Sequence, residues 1–392
     1  MSGPLRCAAG VSATDAGADS FAEAAARAAL GLGGAAADVA VVFAGPASLA
    51  HAEAGVAAVR ERLGPAAVIG CGAQGVVAEG REVERGGVAV WAASLGAGSA
   101  QPFALEVAPA DPPAVAVRGL PDLDAAEAVV LLADPFSLPV EPLLDALAHD
   151  HPGLPVIGGL ASAGGADPLI ADAGPVAAGA VGLALSGVRV ATCVSQGARP
   201  VGPEMAITAG GGNVIQELAG KPALVRLQEA VLELPEPDRR LALEGLLLGL
   251  VVVPNKPEYV RGDFLVRGIL SADRESGSVT VGERIRVGQA VRLQVRDGVS
   301  ADEDLAATLG RTVTELGGPP AGALIFTCNG RGSHMFSMPD HDARVFADMT
   351  GQAPAAGFFC AGEIGPVGER NFVHGFTATM ALLVPADAPG VE

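Results

Sequence analysis

The chain has 392 residues, half of them hydrophobic, with a formal net charge of −19 and only two lysines, Lys221 and Lys256. A chain of this length buries sizeable cores and predicts two domains, while its acidic balance repels nucleic acid and anionic lipid and excludes a nucleic-acid-binding role. Five cysteines at 7, 71, 193, 328 and 360, an odd number without a CxxC pair, make neither a disulfide framework nor a zinc ribbon. Met1 to Gly10 holds no apolar stretch of signal-peptide length. The longest apolar run, Leu241 to Val253, contains Glu244 and falls short of the about 18 residues that would span a bilayer. A cytoplasmic protein without membrane insertion is the expectation.

In chain order, an alanine-rich helix is predicted over about Ser20 to Leu30, with Asp19 or Ser20 as its cap and its alanine face packed closely on a sheet. A strand at Asp38 to Phe43, a helix at His51 to Leu63, a strand at Ala67 to Cys71 and a strand at Gly87 to Trp91 follow. The same order returns as Ala128 to Leu132, Glu141 to Ala148, Pro155 to Gly159 and Ala180 to Ala184. It returns again as Ala323 to Phe326, Asp340 to Met349, Gly357 to Cys360 and Phe376 to Leu382. In each copy a glycine ending the middle strand is followed five residues later by another: Gly70 and Gly75, Gly159 and Gly164, Gly357 and Gly362. A degenerate fourth copy is suspected in Leu246 to Val253, Phe264 to Leu270 and Gln289 to Val295.

Two units per domain predict domains at 1–198 and 199–392, joined near Ser195 to Met205, where Gly197, Pro200, Gly202 and Pro203 supply breaks. Short Gly-containing loops between the last two strands of each unit predict antiparallel hairpins, so the sheets should be mixed rather than purely parallel. The fold class is thus α/β with mixed sheets of repeated β-α-β-β units, covered by helices.

Gly70-Cys71-Gly72-Ala73-Gln74-Gly75 spells GxGxxG after a strand, but the residues that follow lack helical periodicity, so no dinucleotide site is expected. Arg81-Glu82-Val83-Glu84-Arg85 and Asp238-Arg239-Arg240 read as solvated faces, and Asp273 to Ser278 as a hairpin tip. Asn255-Lys256-Pro257-Glu258-Tyr259, with Arg261 and Asp263, reads as a capped surface turn or as a loop presented to a pocket.

The densest group of uncommon polar residues is Cys328-Asn329-Gly330-Arg331-Gly332-Ser333-His334, Glu363 and Arg370-Asn371-Phe372-Val373-His374. Free backbone N–H groups and one guanidinium suit a carboxylate or phosphate, or Arg331 sits in a tight turn with an internal ion pair. Glu363 is the expected internal partner of Arg331, or the group that binds a ligand's ammonium. His374 reads first as a core histidine. Cys328, His334, Cys360 and His374 match no compact zinc spacing. Cys328 or Cys360 as a nucleophile would draw on His334 or His374 as base. No G-x-S-x-G elbow, P-loop, HExxH or paired-carboxylate pattern occurs.

The chain resembles the FIST sensory proteins over nearly its whole length. The N-terminal resemblance rests on Asp38 to Ala44, the Gly70-Cys71 turn and Arg81 to Glu84. The C-terminal one rests on Gly212 to Leu218, Val253-Pro254-Asn255, Gly262 to Arg267, Cys328 to Gly332 and Ala361 to Pro366. Gly72 to Val77 departs from the acid-containing turn of the family's first domain. The resemblance implies a sensory module for small ligands such as amino acids, coupled here to a separate and unidentified signalling partner. It also raises haem-dependent nitric oxide sensing, with His334 or His374 as axial ligand. The resulting expectation is a non-catalytic sensor without an obligatory cofactor, whose ligand meets Asn329, Arg331, Ser333, His334, Glu363, Arg370, Asn371 and His374. Arg331 would hold a carboxylate and Glu363 an amine. A haem-dependent sensor and a thiol-dependent enzyme using Cys328 or Cys360 are the alternatives.

Overall fold

Strand periodicity decides how the chain layers. In Val39–Ala44, Val39, Val41 and Phe43 face one core while Ala40, Val42 and Ala44 face another, so the strand is buried on both sides. In Ala128–Ala133, residues Ala128, Val130 and Leu132 share the first of these cores, and Val129, Leu131 and Ala133 turn away from it. Gly322–Cys328 does the same with Leu324 and Phe326 against Ala323 and Ile325. Three sheets therefore share one central core, which holds Trp91 and the stacked rings of Phe43 and Phe358, 5.0 Å apart. The computed structural model describes residues 3–108, 116–165, 168–172, 174–252, 254 and 256–385; Val253 and Asn255 of the expected loop lie outside them.

Helices cover the outer faces: Ala18–Leu32 and Ala52–Leu63 on the first sheet, Val140–Asp150 on the second, and His341–Thr350 with the end of Gly298–Glu315 on the third. The alanine face of the first helix lies so close that a side chain at Gly10 would stand 2.1 Å from the Ala24 carbonyl. Its expected cap is different. Gly17 is the N-cap without a side-chain bond, and Ser20 Oγ instead accepts Ala16 N and donates to the Thr14 carbonyl.

All three sheets share one strand order. In the first, Arg6–Ser12, Val88–Ser94, Val39–Ala44 and Ala67–Gly72 lie side by side, the last two parallel and the others antiparallel. Ser99–Ala108, Ala180–Ser186, Ala128–Ala133 and Val156–Leu160 repeat this order, as do Val188–Gln196, Thr377–Pro385, Gly322–Cys328 and Ala355–Cys360. The mixed α/β class with repeated units is thus the observed one.

Beyond each middle strand lies a hairpin that belongs to another repeat. Leu169–Ala171 with Gly174–Val176 extends the first sheet, Glu363–Val367 with Arg370–His374 the second, and Val76–Ala78 with Arg81–Val83 the third. The exchange is cyclic: the first repeat lends to the third, the third to the second, the second to the first. GxGxxG therefore leads into a strand at Val76, with no helix to meet a pyrophosphate.

The exchange also bears on the domain division. The chain forms two compact units, Met1–Val194 with Leu305–Glu392, and Ser195–Asp304. The expected cut at 198/199 falls near Ser195, but residues 305–392 rejoin the first unit because the third repeat gives and receives hairpins there. The second unit keeps the strand order with Ala198–Gly211, Ala290–Arg296, Leu247–Val251 and Phe264–Ala272. Among the described residues no helix links Val251 to Phe264, and these strands pair antiparallel throughout. Ala223–Leu232 and Glu236–Gly245 cover one face of that sheet. Among the described residues no helix is long and apolar enough to cross a membrane.

One glycine per repeat is dictated by the close approach of the parallel first and middle strands. A Cβ at Gly70, Gly158 or Gly357 would lie 2.1, 1.8 or 1.7 Å from the carbonyl oxygen of Val42, Leu131 or Ile325. Gly158, not the expected Gly159, is thus the second-repeat counterpart. Gly357→Ala is expected to lower stability by about 3 kcal/mol or more, because backbone must move. Gly351→Ala, with open space but a φ of +66°, should cost only about 1–2 kcal/mol; comparison of urea midpoints checks the contrast.

Candidate functional site

The strand Gly322–Cys328 ends in a turn that drives Arg331 inward. Arg331 N donates to the Cys328 carbonyl at 2.9 Å, Gly330 N to Cys328 Sγ at 3.4 Å, and Asn329 N to the Cys360 carbonyl at 3.0 Å. Gly332, at φ +61°, then opens the 3₁₀ turn Gly332–His334. The guanidinium is fully buried and grips Asp342 with two bonds, Nε to Oδ2 at 2.7 Å and NH2 to Oδ1 at 2.8 Å. Thr327 Oγ1 donates to Asp342 Oδ2 at 2.6 Å, and His341 Nδ1 lies 2.9 Å from Oδ1. The Phe336 ring lies under the guanidinium at 5.1 Å and stacks on His341. Burial opposes both charges, but the pairing prevails: Arg331 keeps its proton, and Asp342 stays well below the usual carboxylate range.

A second carboxyl lies across Cys328. Glu363 is fully buried; its Oε2 accepts Thr377 N at 3.1 Å and Thr377 Oγ1 at 2.8 Å. No nitrogen or hydroxyl donor reaches its Oε1, the Cys328 thiol being the carboxyl's remaining neighbour, and the buried Asn329 Oδ1 and Thr379 Oγ1 also have no hydrogen-bond partner. Burial pushes the Glu363 carboxyl up to about 8, with Thr377, Arg331 and the Cys328 thiol only partly offsetting it. Burial and then Glu363 push the Cys328 thiol up to about 12, and burial raises Cys360 as well. A nucleophilic thiol needs the opposite shift.

The third component comes from the first repeat. Glu82 Oε1 accepts Asp342 N at 2.7 Å and Ala343 N at 3.1 Å, capping the helix His341–Thr350, while Glu82 N donates to Asp340 Oδ1 at 2.7 Å. Glu84 Oε1 accepts Ser333 N at 2.7 Å, and its Oε2 accepts the Ser333 hydroxyl. Glu82 is mostly buried, and burial followed by the Asp342 charge pushes its carboxyl up to about 7. The solvated face expected at Arg81 to Arg85 is thus corrected for both glutamates, because hairpin exchange carries them onto the third repeat.

The eight residues expected to meet a ligand separate into three groups. Asn329, Arg331 and Glu363 surround Cys328. Arg331's partner is Asp342 rather than Glu363, although Glu363 lies within electrostatic reach. Ser333 is held by Glu84, and His334 is exposed. Arg370, Asn371 and His374 serve the exchanged hairpin. Arg370 makes an exposed pair with Asp145 at 2.6 Å, and Asn371 pins Val156 N and the Leu154 carbonyl, each at 2.9 Å. His374 is buried with Nε2 3.0 Å from the Gly365 carbonyl, the setting of a core histidine. Among the described residues no group of three or more His, Cys, Asp or Glu could hold a metal ion. Lys256 pairs with Asp263 within its own loop, while Arg261 NH1 reaches the helix Gly298–Glu315 at the Ser300 carbonyl, 2.8 Å away. Asp342, Glu82, Glu84 and Thr377 escaped sequence reading, since no local spacing links them to Arg331 or Glu363.

Asp342→Ala should destabilise the chain by about 3–5 kcal/mol by leaving Arg331 buried without a counter-ion, and Arg331→Met with Asp342→Leu should recover most of that loss in urea unfolding. The raised carboxyls have a defined pH signature. Folded Glu82 and Glu363 hold protons that the unfolded chain releases near its ordinary value of 4.5, so stability falls as pH rises from about 4.5 to 8. Asp342 has the opposite sign, its contribution being lost only in strong acid as pH falls through its depressed value. Glu363→Gln is expected to flatten the fall in calorimetric midpoint between pH 5 and 8; an unchanged slope would remove Glu363 as its source.

The FIST N domain matches residues 38–221 and the FIST C domain residues 223–366. An uncharacterized protein of Mycobacterium tuberculosis (strain ATCC 25618 / H37Rv) is 44% identical over 333 residues, 84% of this chain and 86% of that protein. An uncharacterized protein of Mycobacterium bovis is 40% identical over 384 residues, 97% of this chain and 99% of that protein. FIST domains are generally taken as small-ligand sensory and signal-transduction domains. With both domains in tandem, this chain belongs to the FIST family.

Proposed function

We propose that this protein is a sensor whose third repeat binds a small polar metabolite through its amine or another hydrogen-bond donor, an amino acid being the leading class. The observation that carries this reading is a set of buried oxygens that no nitrogen or hydroxyl donor reaches: Asn329 Oδ1, Thr379 Oγ1 and Glu363 Oε1, the Glu363 carboxyl having only the weak Cys328 thiol besides Thr377. Buried polar atoms are normally paired, and leaving one unpaired costs about 1–3 kcal/mol. A ligand ammonium or amide would satisfy them and draw Glu363 toward its charged form. Arg331 takes a different role from the one first expected. With Nε and NH2 committed to Asp342, it shapes the turn rather than holding the ligand's carboxylate. Signalling would then act in the cytoplasm through a separate protein that reads the ligand-bound state.

A thermal-shift series with amino acids, simple amines and the matching carboxylic acids tests the reading. Amino-bearing compounds are expected to raise the melting midpoint of the wild type and not of Glu363→Gln, whereas Arg370→Ala keeps the shift. Equal shifts in Glu363→Gln, or none across the panel, would defeat it.

A further inference from the structure

The acceptors of the proposed ligand site are sealed from solvent, with Glu363 and Thr379 both 0% exposed. Entry therefore requires part of the wall to move. Cys328, Asn329 and Arg331 belong to the turn that forms one wall, and that turn ends in the exposed Ser333 and His334. Resting on the small-ligand reading above, we propose that Arg81 to Glu84 is a carboxylate latch. Glu82 and Glu84 of the first repeat hold the turn and helix of the third repeat closed over the acceptors, and their release admits the ligand.

The two carboxylates take up backbone donors that the third repeat leaves open. Glu84 clasps Ser333 through both N–H and hydroxyl, and Glu82 fills the Asp342 and Ala343 N–H groups at the helix start. Gly332 is shaped for this clasp. A Cβ there would stand 2.9 Å from Glu84 Oε1, on backbone already at positive φ. These contacts are also arranged to let go. Arg81–Val83 is the edge strand of its sheet, paired only with Val76–Ala78, which stays anchored to Ala356, Gly357 and Phe358. Glu79 and Gly80 form the connecting turn at φ 54° and 69°. The grip is polar, and Glu82 Oε2 lies buried without a partner beside Asp342. The charges facing Glu82 from the helix side are Asp340, His341 and Asp342, with Arg344 paired to Asp340. Closure thus keeps the Glu82 carboxyl buried, one oxygen unpaired, beside Asp342, and opening returns it to water.

Thiol access reads the latch without any ligand, because Cys328 lies in the wall that moves. The full chain and its Glu84→Ala variant are treated with excess 5,5′-dithiobis(2-nitrobenzoate) at neutral pH, and modification of each cysteine is followed by peptide mass spectrometry. Glu84→Ala should label Cys328 at least tenfold faster, with Cys7, Cys71 and Cys360 unchanged and Glu84→Gln in between. An unchanged Cys328 rate, or equal acceleration at every thiol, overturns the latch. If Glu84→Ala does not fold, hydrogen exchange of the wild type decides: peptides over 329–343 should exchange faster than those over 355–360, and equal protection overturns the latch. The two readings fail separately. Selective Cys328 access with no ligand shift keeps the latch and removes the ligand, while ligand shifts without selective access keep the ligand and remove the latch.

Discussion

Each middle strand in the three complete repeats needs a neighbour on its outer side, and that neighbour comes from another repeat. An unpaired edge there would expose backbone donors and acceptors beside a sheet buried on both faces. Cyclic hairpin exchange removes this edge three times over with strands the chain already possesses. It also ties residues far apart in sequence into one core, so residues 305–392 belong with residues 1–194. The polar cluster is a by-product of that constraint. The hairpin lent by the first repeat brings Glu82 and Glu84 to the third, and the hairpin lent to the second leaves Glu363 facing back toward Cys328 and Thr377.

The electrostatics of the cluster separate into two parts. Arg331 and Asp342 neutralise one another through a bidentate contact completed by Thr327 and His341, which is what permits both charges to be buried. Glu363 has no such counter-ion and is held toward its neutral form by burial. The difference is one of pairing: a satisfied ion pair fixes the turn, while the Glu363 carboxyl is held by Thr377 and the Cys328 thiol without a bidentate cation. The thiols beside it, raised by burial, lack the lowered pKa of an activated nucleophile.

Much of the architecture was legible because strand burial is periodic and the chain says the same thing three times. Apolar runs at Val39, Ala128 and Ala323, each followed by a helix and a glycine-ended strand, identified the repeats with their order. Even the degenerate copy keeps the strand order, with no helix among the described residues between its middle strands. The register of the glycines was less legible. Gly158 and Gly159 are equivalent on paper, and only the distance to the Leu131 carbonyl tells them apart. The candidate site was half legible: Asn329, Arg331 and Glu363 do gather around Cys328, whereas Arg370, Asn371 and His374 hold a hairpin in place. Asp342 and Glu82 gave no sign, since one reads as an ordinary first-turn acid and the other as part of a solvated charge run.

By itself the sequence determined the class of fold, the repeats, the family resemblance and the neighbourhood of the polar cluster, because each depends on local periodicity or on residues close together along the chain. Tertiary structure alone decided which sheet each hairpin joins, that Arg331 pairs with Asp342, and that Glu82 and Glu84 reach across repeats. Those outcomes depend on strand exchange and desolvation. Both are set by what surrounds a residue in space, which its neighbours in sequence do not reveal.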